Sequence, residues 1–460
     1  MKNIDSRVDS NMNGLISDLQ LLIRQPSVSA RSEGLFECAN LVASMMTKAG
    51  IETELLCIND AKDSKKPVPP LVYGEINSKS NHTGKTLMFY NHYDVQPEDP
   101  AELWVDNPFS GKIEGNFVFG RGSADDKGEL ITRIKAVQYL LEENGDVPCN
   151  IKFVIEGEEE IGSIHLDDYL ARYKNEFKCD GVIWEFGYVD DQDRPIIGLG
   201  MKGLLYVELV AKGPVRDAHS SLAVLIENPA WCLIRALNTM RDKTGRILIK
   251  DWYKEVREFT DDELSLVSNE PFDQHEFKQQ YGIETFVNDA MGIDISKALV
   301  GMPTCNIAGL ISGYTGKGAK TVLPANAKAK LDFRLIPDME PQRQFQRLSN
   351  HLEENGFKNT IELRLIHAEP AARTAISDPF VKKIKECADE VYGESILSVS
   401  SAGTGPMYSF IKNLHAPCVS IGSTYIYSRI HSPNEYARID LLKKTTKCIA
   451  AITEKFAVIE

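Results

Sequence analysis

Three apolar runs, each closed by acidic or imidazole side chains, constrain this chain more than any other feature. Thr86-Leu87-Met88-Phe89-Tyr90 leads into Asn91-His92-Tyr93-Asp94, Ile151-Lys152-Phe153-Val154-Ile155 into Glu156-Gly157-Glu158-Glu159-Glu160, and Gly181-Val182-Ile183-Trp184 into Glu185. Short continuous apolar runs read as strands buried on both faces. Ligands in open α/β sheets gather beyond the carboxyl ends of such strands, so these groups can converge although they are far apart in sequence.

Helical periodicity surrounds the runs. Leu15, Leu19, Leu22 and Ile23 share one face, as do Leu35, Cys38, Val42, Met45 and Ala49 before Gly50, and Leu130, Ile134, Val137 and Leu141 within Glu129 to Glu143. Strand-like Leu71 to Ile76 completes an alternation that predicts α/β layers. Near Gly200-Met201-Lys202-Gly203 the pattern changes. Leu204 to Val210, Asn306 to Ile311, Ala327 to Leu335 and Thr360 to Ile366 then alternate like strands of a half-covered sheet, with helices at Ala230 to Met240 and Pro341 to Leu352. Between Arg241 and Val300 lies a charged stretch with Trp252, Phe259, Phe272 and Phe286, read as helical decoration of that part. From Ser377 the α/β style resumes, with a helix at Pro379 to Val391, a strand at Pro417 to Ile421 and a last helix at Leu441 to Phe456. A smaller domain, 204–375, is therefore expected to be inserted into a larger one made of 1–203 and 376–460.

Composition excludes several classes. A chain of 460 residues with 43% hydrophobic content can bury a sizeable core across two or three domains. Its net charge of -14 and the absence of a basic run argue against nucleic acid as a partner. Met1 to Arg7 lacks the apolar segment of a signal peptide, and no stretch approaches the roughly 18 apolar residues of a membrane span, so a soluble cytoplasmic protein with no membrane partner is expected. Nine scattered cysteines without a Cys-x-x-Cys pair predict reduced, mostly buried thiols.

The chemistry these groups suit is amide hydrolysis, which needs an activated water, a polarised carbonyl and a proton carrier; two adjacent divalent ions supply the first two. In Gly120-Arg121-Gly122-Ser123-Ala124-Asp125-Asp126-Lys127-Gly128 the glycines allow a sharp turn, and a short Asp before a helix can offer both oxygens to two metals. Within the acidic triplet, successive side chains diverge, so Glu160 can bind metal while Glu159 stands free to take a proton. Asp94, two residues after His92, is placed to orient the imidazole. His431 lies in the loop Arg429-Ile430-His431-Ser432-Pro433-Asn434-Glu435, where no core requires a histidine. Taken singly, each has a bland reading: an Asp-Asp pair as an N-cap, a Glu triplet as solvated surface, a lone His as a hydrogen-bonded structural residue.

In combination and in this order, Asn91 to Pro97, Gly120 to Gly128, Glu156 to Ser163, Glu185 and His431 closely resemble the co-catalytic di-metal metallopeptidase family. That family includes carnosinase-like dipeptidases, glutamate carboxypeptidases, aminoacylases, acetylornithine deacetylases and succinyl-diaminopimelate desuccinylases. The resemblance implies a mixed-sheet, zinc-peptidase-like α/β catalytic domain with an inserted α+β, ferredoxin-like lid that mediates homodimerisation. It implies that His92, Asp125 and Glu185 hold one ion and Asp125, Glu160 and His431 the other, with zinc first and manganese or cobalt as alternatives, and that Glu159 is general base and acid on a metal-bridging water. Asp94 would orient. Arg216-Asp217-Ala218-His219-Ser220-Ser221 resembles the family's lid histidine motif, in which His219 reaches a neighbouring subunit's site to stabilise the oxyanion. Thr321-Val322-Leu323-Pro324 with Phe333-Arg334-Leu335 is similar to its substrate-carboxylate clamp, in which Arg334 makes paired hydrogen bonds and Thr321 assists. The bland reading of Arg334 is a surface or strand salt bridge.

Substrate choice divides the resemblance. Glu185 stands where the family's dipeptidases tend to have Asp and its carboxypeptidases and deacylases Glu, whereas the wording around His92 and Asp125 and the insertion before Thr321 resemble the dipeptidase branch. Ser401-Ala402-Gly403-Thr404-Gly405-Pro406 lacks the charged residues that branch usually carries before the glycines that meet substrate, Gly403 here. The expectation is hydrolysis of dipeptides or related small peptides, with N-acyl amino acid deacylation as the alternative and a catalytically silent dimeric binding module as the alternative of another class.

Overall fold

The computed structural model describes residues 2–58, 67–80, 82–270 and 272–459. They fall into two compact units, Met1–Gly200 with Thr374–Ser398 and Pro406–Glu460, and Met201–Arg373 with Val399–Gly405.

The first unit is built on an eight-stranded mixed sheet. Edge to edge it runs Glu52–Leu56, Leu71–Ile76, Asn150–Glu156, Thr86–His92, Gly181–Trp184, Cys418–Ser420, Ile196–Gly198 and Ile396–Ser398. The four in the middle, Asn150–Glu156 to Cys418–Ser420, are parallel to one another. Their carboxyl ends therefore open on one edge of the sheet, which brings His92, Glu156 and Glu185 together. Every residue of Thr86–His92 is buried, as a strand covered on both faces requires. The strand runs two residues past the apolar stretch: Asn91 pairs with Ile155 and His92 with Glu156, so ladder hydrogen bonds carry these polar residues inside the sheet. The helix Lys127–Asn144 buries Leu130, Ile131, Ile134, Val137 and Leu140, and ends at Gly145, whose φ of 70° is the left-handed conformation that glycine adopts without a Cβ penalty. It packs against the helices Lys2–Arg24 and Ile439–Phe456.

The second unit follows the chain order strand, helix, strand, strand, helix, strand, the split βαβ arrangement. Its antiparallel sheet has the order Asn306–Ser312, Asn326–Leu335, Gly203–Lys212, Ile361–Glu369. Alternation decides its faces. Leu205, Val207, Leu209 and Ala211 enter the core with Leu331 and Phe333, beneath the helices Pro229–Met240 and Pro341–Glu354, while Leu204, Tyr206 and Glu208 stay half-buried on the other face. Trp252 closes the core against Phe333, ring centroids 4.9 Å apart. The charged stretch after Arg241 forms the helices Asp261–Asn269, Gln274–Tyr281 and Ile293–Gly301, with Val267 and Val300 packed on Val399. All nine cysteines are free thiols. None of the described helices is long and apolar enough to cross a membrane.

Candidate active site

The site forms where the parallel strands of the first unit end. His92, the last residue of its strand, is fully buried. Its Nδ1 lies 3.0 Å from the Asp94 backbone carbonyl and 3.4 Å from Asp94 Oδ1, both acceptors, so Nδ1 carries the proton and Nε2 faces the site. There it meets Asp125 Oδ1 at 3.2 Å and Glu185 Oε2 at 4.0 Å.

Asp125 is held by a tight loop. Gly122 has φ 85°, and a Cβ there would lie 2.7 Å from Val95 Cγ1, so glycine is required. The buried carboxylate of Glu435 organises the turn, accepting the N–H groups of Gly122 (3.2 Å), Ala124 (2.9 Å) and Asp125 (3.1 Å) and the Arg121 guanidinium (2.7 Å). Held this way, Asp125 uses both oxygens: Oδ1 toward His92, and Oδ2 toward His431 Nε2 at 3.1 Å.

Glu159 and Glu160 sit on a short helical turn, Glu159–Ile161, whose N–H groups donate to Asp94 at 3.2 and 3.1 Å. Glu160 Oε2 is 3.1 Å from His431 Nε2 and accepts from Gln96 Nε2 at 2.9 Å. Glu185 follows its strand directly, and its Oε2 is buried without a hydrogen-bond partner. The ligand atoms thus form two groups, His92 with Glu159 and Glu185, and Asp125 with Glu160 and His431, each within 4.8 Å of one another. The resemblance puts Asp125 rather than Glu159 beside His92; both lie close enough.

Charge explains what the cluster suits. Asp94, Asp125, Asp126, Glu159, Glu160 and Glu185 crowd around two imidazoles in a poorly solvated place, with the Arg133 guanidinium acting on Asp126 and the Lys127 ammonium on Asp94. Burial, and then repulsion from Glu160, Asp125 and Asp94 against the attraction of His92, pushes Glu159 well above the usual carboxylate range. Burial and the nearby Glu159 do the same to Glu185. Burial also raises Asp125, but hydrogen bonds from His431 and His92 outweigh it and hold that carboxyl low. The bonds to Asp125 and Glu160 raise His431 to about 10. A concentration of buried negative charge with an orphaned Glu185 oxygen fits divalent cations, and imidazole with carboxylate oxygen is the donor set of zinc, manganese or cobalt.

Four expected residues lie in the second unit. His219 pairs with Val322 in a two-stranded ribbon, and its Nε2 is 3.4 Å from Thr321 Oγ1. Its Nδ1 accepts the Ser221 N–H at 3.2 Å, the arrangement of the tautomer that carries its proton on Nε2. Arg334 Nη1 donates to Thr404 Oγ1 at 2.7 Å, beside Gly403, whose N–H donates to Ser401 Oγ at 3.0 Å. Arg334 forms no salt bridge among the described residues, against its bland reading.

Two residues escaped the sequence reading. Asp126 Oδ2 accepts the His92 N–H at 3.0 Å and Asn91 Nδ2 at 2.7 Å, and burial pushes its carboxyl up to about 8. Glu435 supports Asp125 from the far end of the chain. An acid four residues after His431 was the available signal for it; nothing in the Asp125-Asp126 doublet told which residue faced inward.

Residues 88–455, most of the chain, match peptidase family M20/M25/M40. The chain belongs to that family. This M20 peptidase is 30% identical over 382 residues to the Cys-Gly metallodipeptidase of Candida albicans, covering 79% of this chain and 78% of that protein. It is 28% identical over 382 residues to the human Beta-Ala-His dipeptidase, 80% and 74% of the two chains. Among solved structures it superposes on an M20 metallo-carboxypeptidase of Sulfolobus solfataricus with TM-score 0.88 and 40% identity, covering 96% of this chain and 99% of that one. Human carnosine dipeptidase 1 superposes with TM-score 0.82 and 25% identity over 99% and 98%. As an M20 family member the protein is a metal-dependent hydrolase of peptide bonds, with the mixed α/β fold of that family.

Proposed function

We propose that this M20 peptidase removes the C-terminal residue of dipeptides and related small peptides at a centre of two divalent ions, zinc first. One observation carries the reading: Asp125 directs one oxygen to His92 and the other to His431, as a carboxylate shared by two ions must. His92, Asp125 and Glu185 would hold one ion, and Asp125, Glu160 and His431 the other. When bound, such a pair polarises the scissile carbonyl and makes a water acidic enough to attack at neutral pH. Glu159, its basicity raised by burial, takes the proton of that water and returns it to the departing amine nitrogen. Asp94 fixes both the His92 ring and the turn bearing the two glutamates. His219, with its proton on Nε2, donates to the oxyanion. Arg334, assisted by Thr321 and the loop at Gly403, receives the substrate carboxylate.

In this reading 1–203 with 376–460 is the catalytic domain and 204–375 the lid through which two copies associate, with His219 serving the neighbouring site. The edge strand Asn306–Ser312 supports association: Ile307, Leu310 and Ile311 are 48%, 56% and 60% exposed, and an uncovered apolar edge seeks a partner. Free thiols throughout suit a reducing, cytoplasmic setting.

Short peptides are favoured as substrates by the Cys-Gly and Beta-Ala-His dipeptidases among the relatives. Deacylation is the second reading, favoured by Glu185 and by a succinyl-diaminopimelate desuccinylase 24% identical over 95% of this chain. Free-amine release by the zinc-, manganese- or cobalt-loaded protein decides, using Cys-Gly, β-Ala-His, longer peptides, N-acetylornithine and N-succinyl-diaminopimelate. Turnover of the dipeptides is expected; turnover confined to the N-acyl compounds would replace peptidase by deacylase, and none with any metal would leave a silent binding module.

A further inference from the structure

The second unit holds another cation beside Arg334. Lys202 is only 2% exposed, and its ammonium donates one hydrogen bond, 2.6 Å, to the Met302 carbonyl. Its backbone N–H is shared between the carbonyls of Ser401 (3.2 Å) and Gly403 (3.0 Å), so Lys202 is tied to the loop whose Thr404 hydroxyl accepts from Arg334. Lys202 immediately precedes the strand Gly203–Lys212, in which Leu204 pairs with Arg334; the two-residue period puts Lys202 on the side that Leu204 and Arg334 share.

No carboxylate lies within ion-pair distance of either cation among the described residues. The loop Val399–Gly405 and the segment Met302–Thr304 contain no ionisable side chain, and Cys305 beyond them is a thiol pushed up to about 11 by burial. Glu369, across from Leu204 on the other neighbouring strand, has Oε2 3.5 Å from His367 Nε2 and a buried Oε1 without a hydrogen-bond partner, beyond ion-pair distance of both cations. Burial, and then the charge of Arg334, pushes Lys202 down to about 8. An ammonium enclosed next to a guanidinium without a counter-ion is unfavourable unless an anion joins them.

We propose that Lys202 is a second cation of the substrate site, which with Arg334 and Thr404 grips the free carboxylate on the C-terminal side of the peptide. This rests on the reading of Arg334 as the carboxylate clamp, and extends it from one charge to two. A neutral or amidated C-terminus would leave the buried Lys202 and the half-buried Arg334 without compensation, so the pair would select against endopeptide and amide substrates.

The test compares kcat and KM for a dipeptide and its C-terminal amide in the metal-loaded wild type, Lys202→Met and Lys202→Arg. The acid-over-amide preference is expected to fall about 10- to 100-fold in Lys202→Met, through KM rather than kcat, and to be restored in Lys202→Arg. Wild-type KM for the free acid should rise above about pH 8, as Lys202 loses its proton, and stay flat there in Lys202→Arg. A wild type that discriminates while Lys202→Met keeps the full preference overturns the role of Lys202 and leaves Arg334 standing; a wild type indifferent to amidation overturns the clamp itself. An N-succinyl amino acid amide distinguishes the two ends: if its KM, and not that of the dipeptide, responds to Lys202→Met, the carboxylate is gripped on the acyl side and the placement proposed is wrong. Should Lys202→Met not fold, the alkaline limb of KM in wild type and Lys202→Arg decides alone.

Discussion

Asp94 accepts the backbone N–H of Glu160 on Oδ2 at 3.1 Å, while its Oδ1 accepts that of Glu159 at 3.2 Å and lies 3.4 Å from His92 Nδ1. One buried carboxylate therefore sets a histidine and both glutamates from two different strand ends. Replacing it disturbs metal-binding groups on two sides at once. Asp94→Ala is expected to weaken metal affinity about 10- to 100-fold, the usual effect of removing a group that orients ligands. Competition with a chelator measures this, and unchanged affinity would leave Asp94 no such part.

Glu435 does for Asp125 what Asp94 does for the glutamates. Glu435→Gln keeps the shape but loses charge and turns an NH2 group toward donors, leaving N–H groups of Gly122, Ala124 or Asp125 without an acceptor. Metal affinity should fall, and stability by about 2 kcal/mol, the scale of a hydrogen bond to a charged group. Calorimetric melting and metal titration of the variant check both.

Glu159→Gln separates binding from chemistry. The amide fills the same space but carries no proton, so kcat should drop about 10²- to 10⁴-fold with bound metal unchanged. Retained turnover at retained metal would remove Glu159 from proton transfer.

These two supporting carboxylates mark the limit of what the sequence reveals. Buried strands, amphipathic helices and the acids closing the strands were legible, because continuous burial and helical periodicity write themselves into residue order. The start of the second unit showed as a change from continuous to alternating runs near Gly200–Gly203. Asp94's hold on the Glu159–Ile161 turn was not legible, nor was Glu435 under the Asp125 loop. Both are contacts between backbone N–H groups and a distant carboxylate, 65 and 310 residues apart for Glu159 and Asp125, and a backbone donor has no residue type to read. The extension of the Thr86–Tyr90 run through His92 was missed for a related reason: polar residues belong to a sheet when neighbours pair on either side.

Glu263 gives a prediction for the charged stretch after Arg241. Its carboxylate caps the helix Asp261–Asn269, accepting the Thr260 N–H at 3.0 Å, and binds Arg257 at 2.7 Å and Arg373 at 3.0 Å. Arg257 first, against burial and aided by Thr260 and Arg373, lowers its carboxyl to about 2, below the roughly 4.3 of an unfolded glutamate. Because the folded value is depressed, the stabilisation is complete above about pH 5 and is lost as pH falls toward 2. The melting temperatures of wild type and Glu263→Gln should differ most near neutral pH and converge in acid; a constant gap would contradict the assignment.

Zinc-edge anomalous diffraction from crystals of the zinc-reconstituted protein tests the central claim most directly. Two peaks roughly 3.5–4 Å apart are expected, as in other two-metal sites, with Asp125 between them, His92 and Glu185 on one, and Glu160 and His431 on the other. A single peak, or zinc bound away from Asp125, would contradict the account.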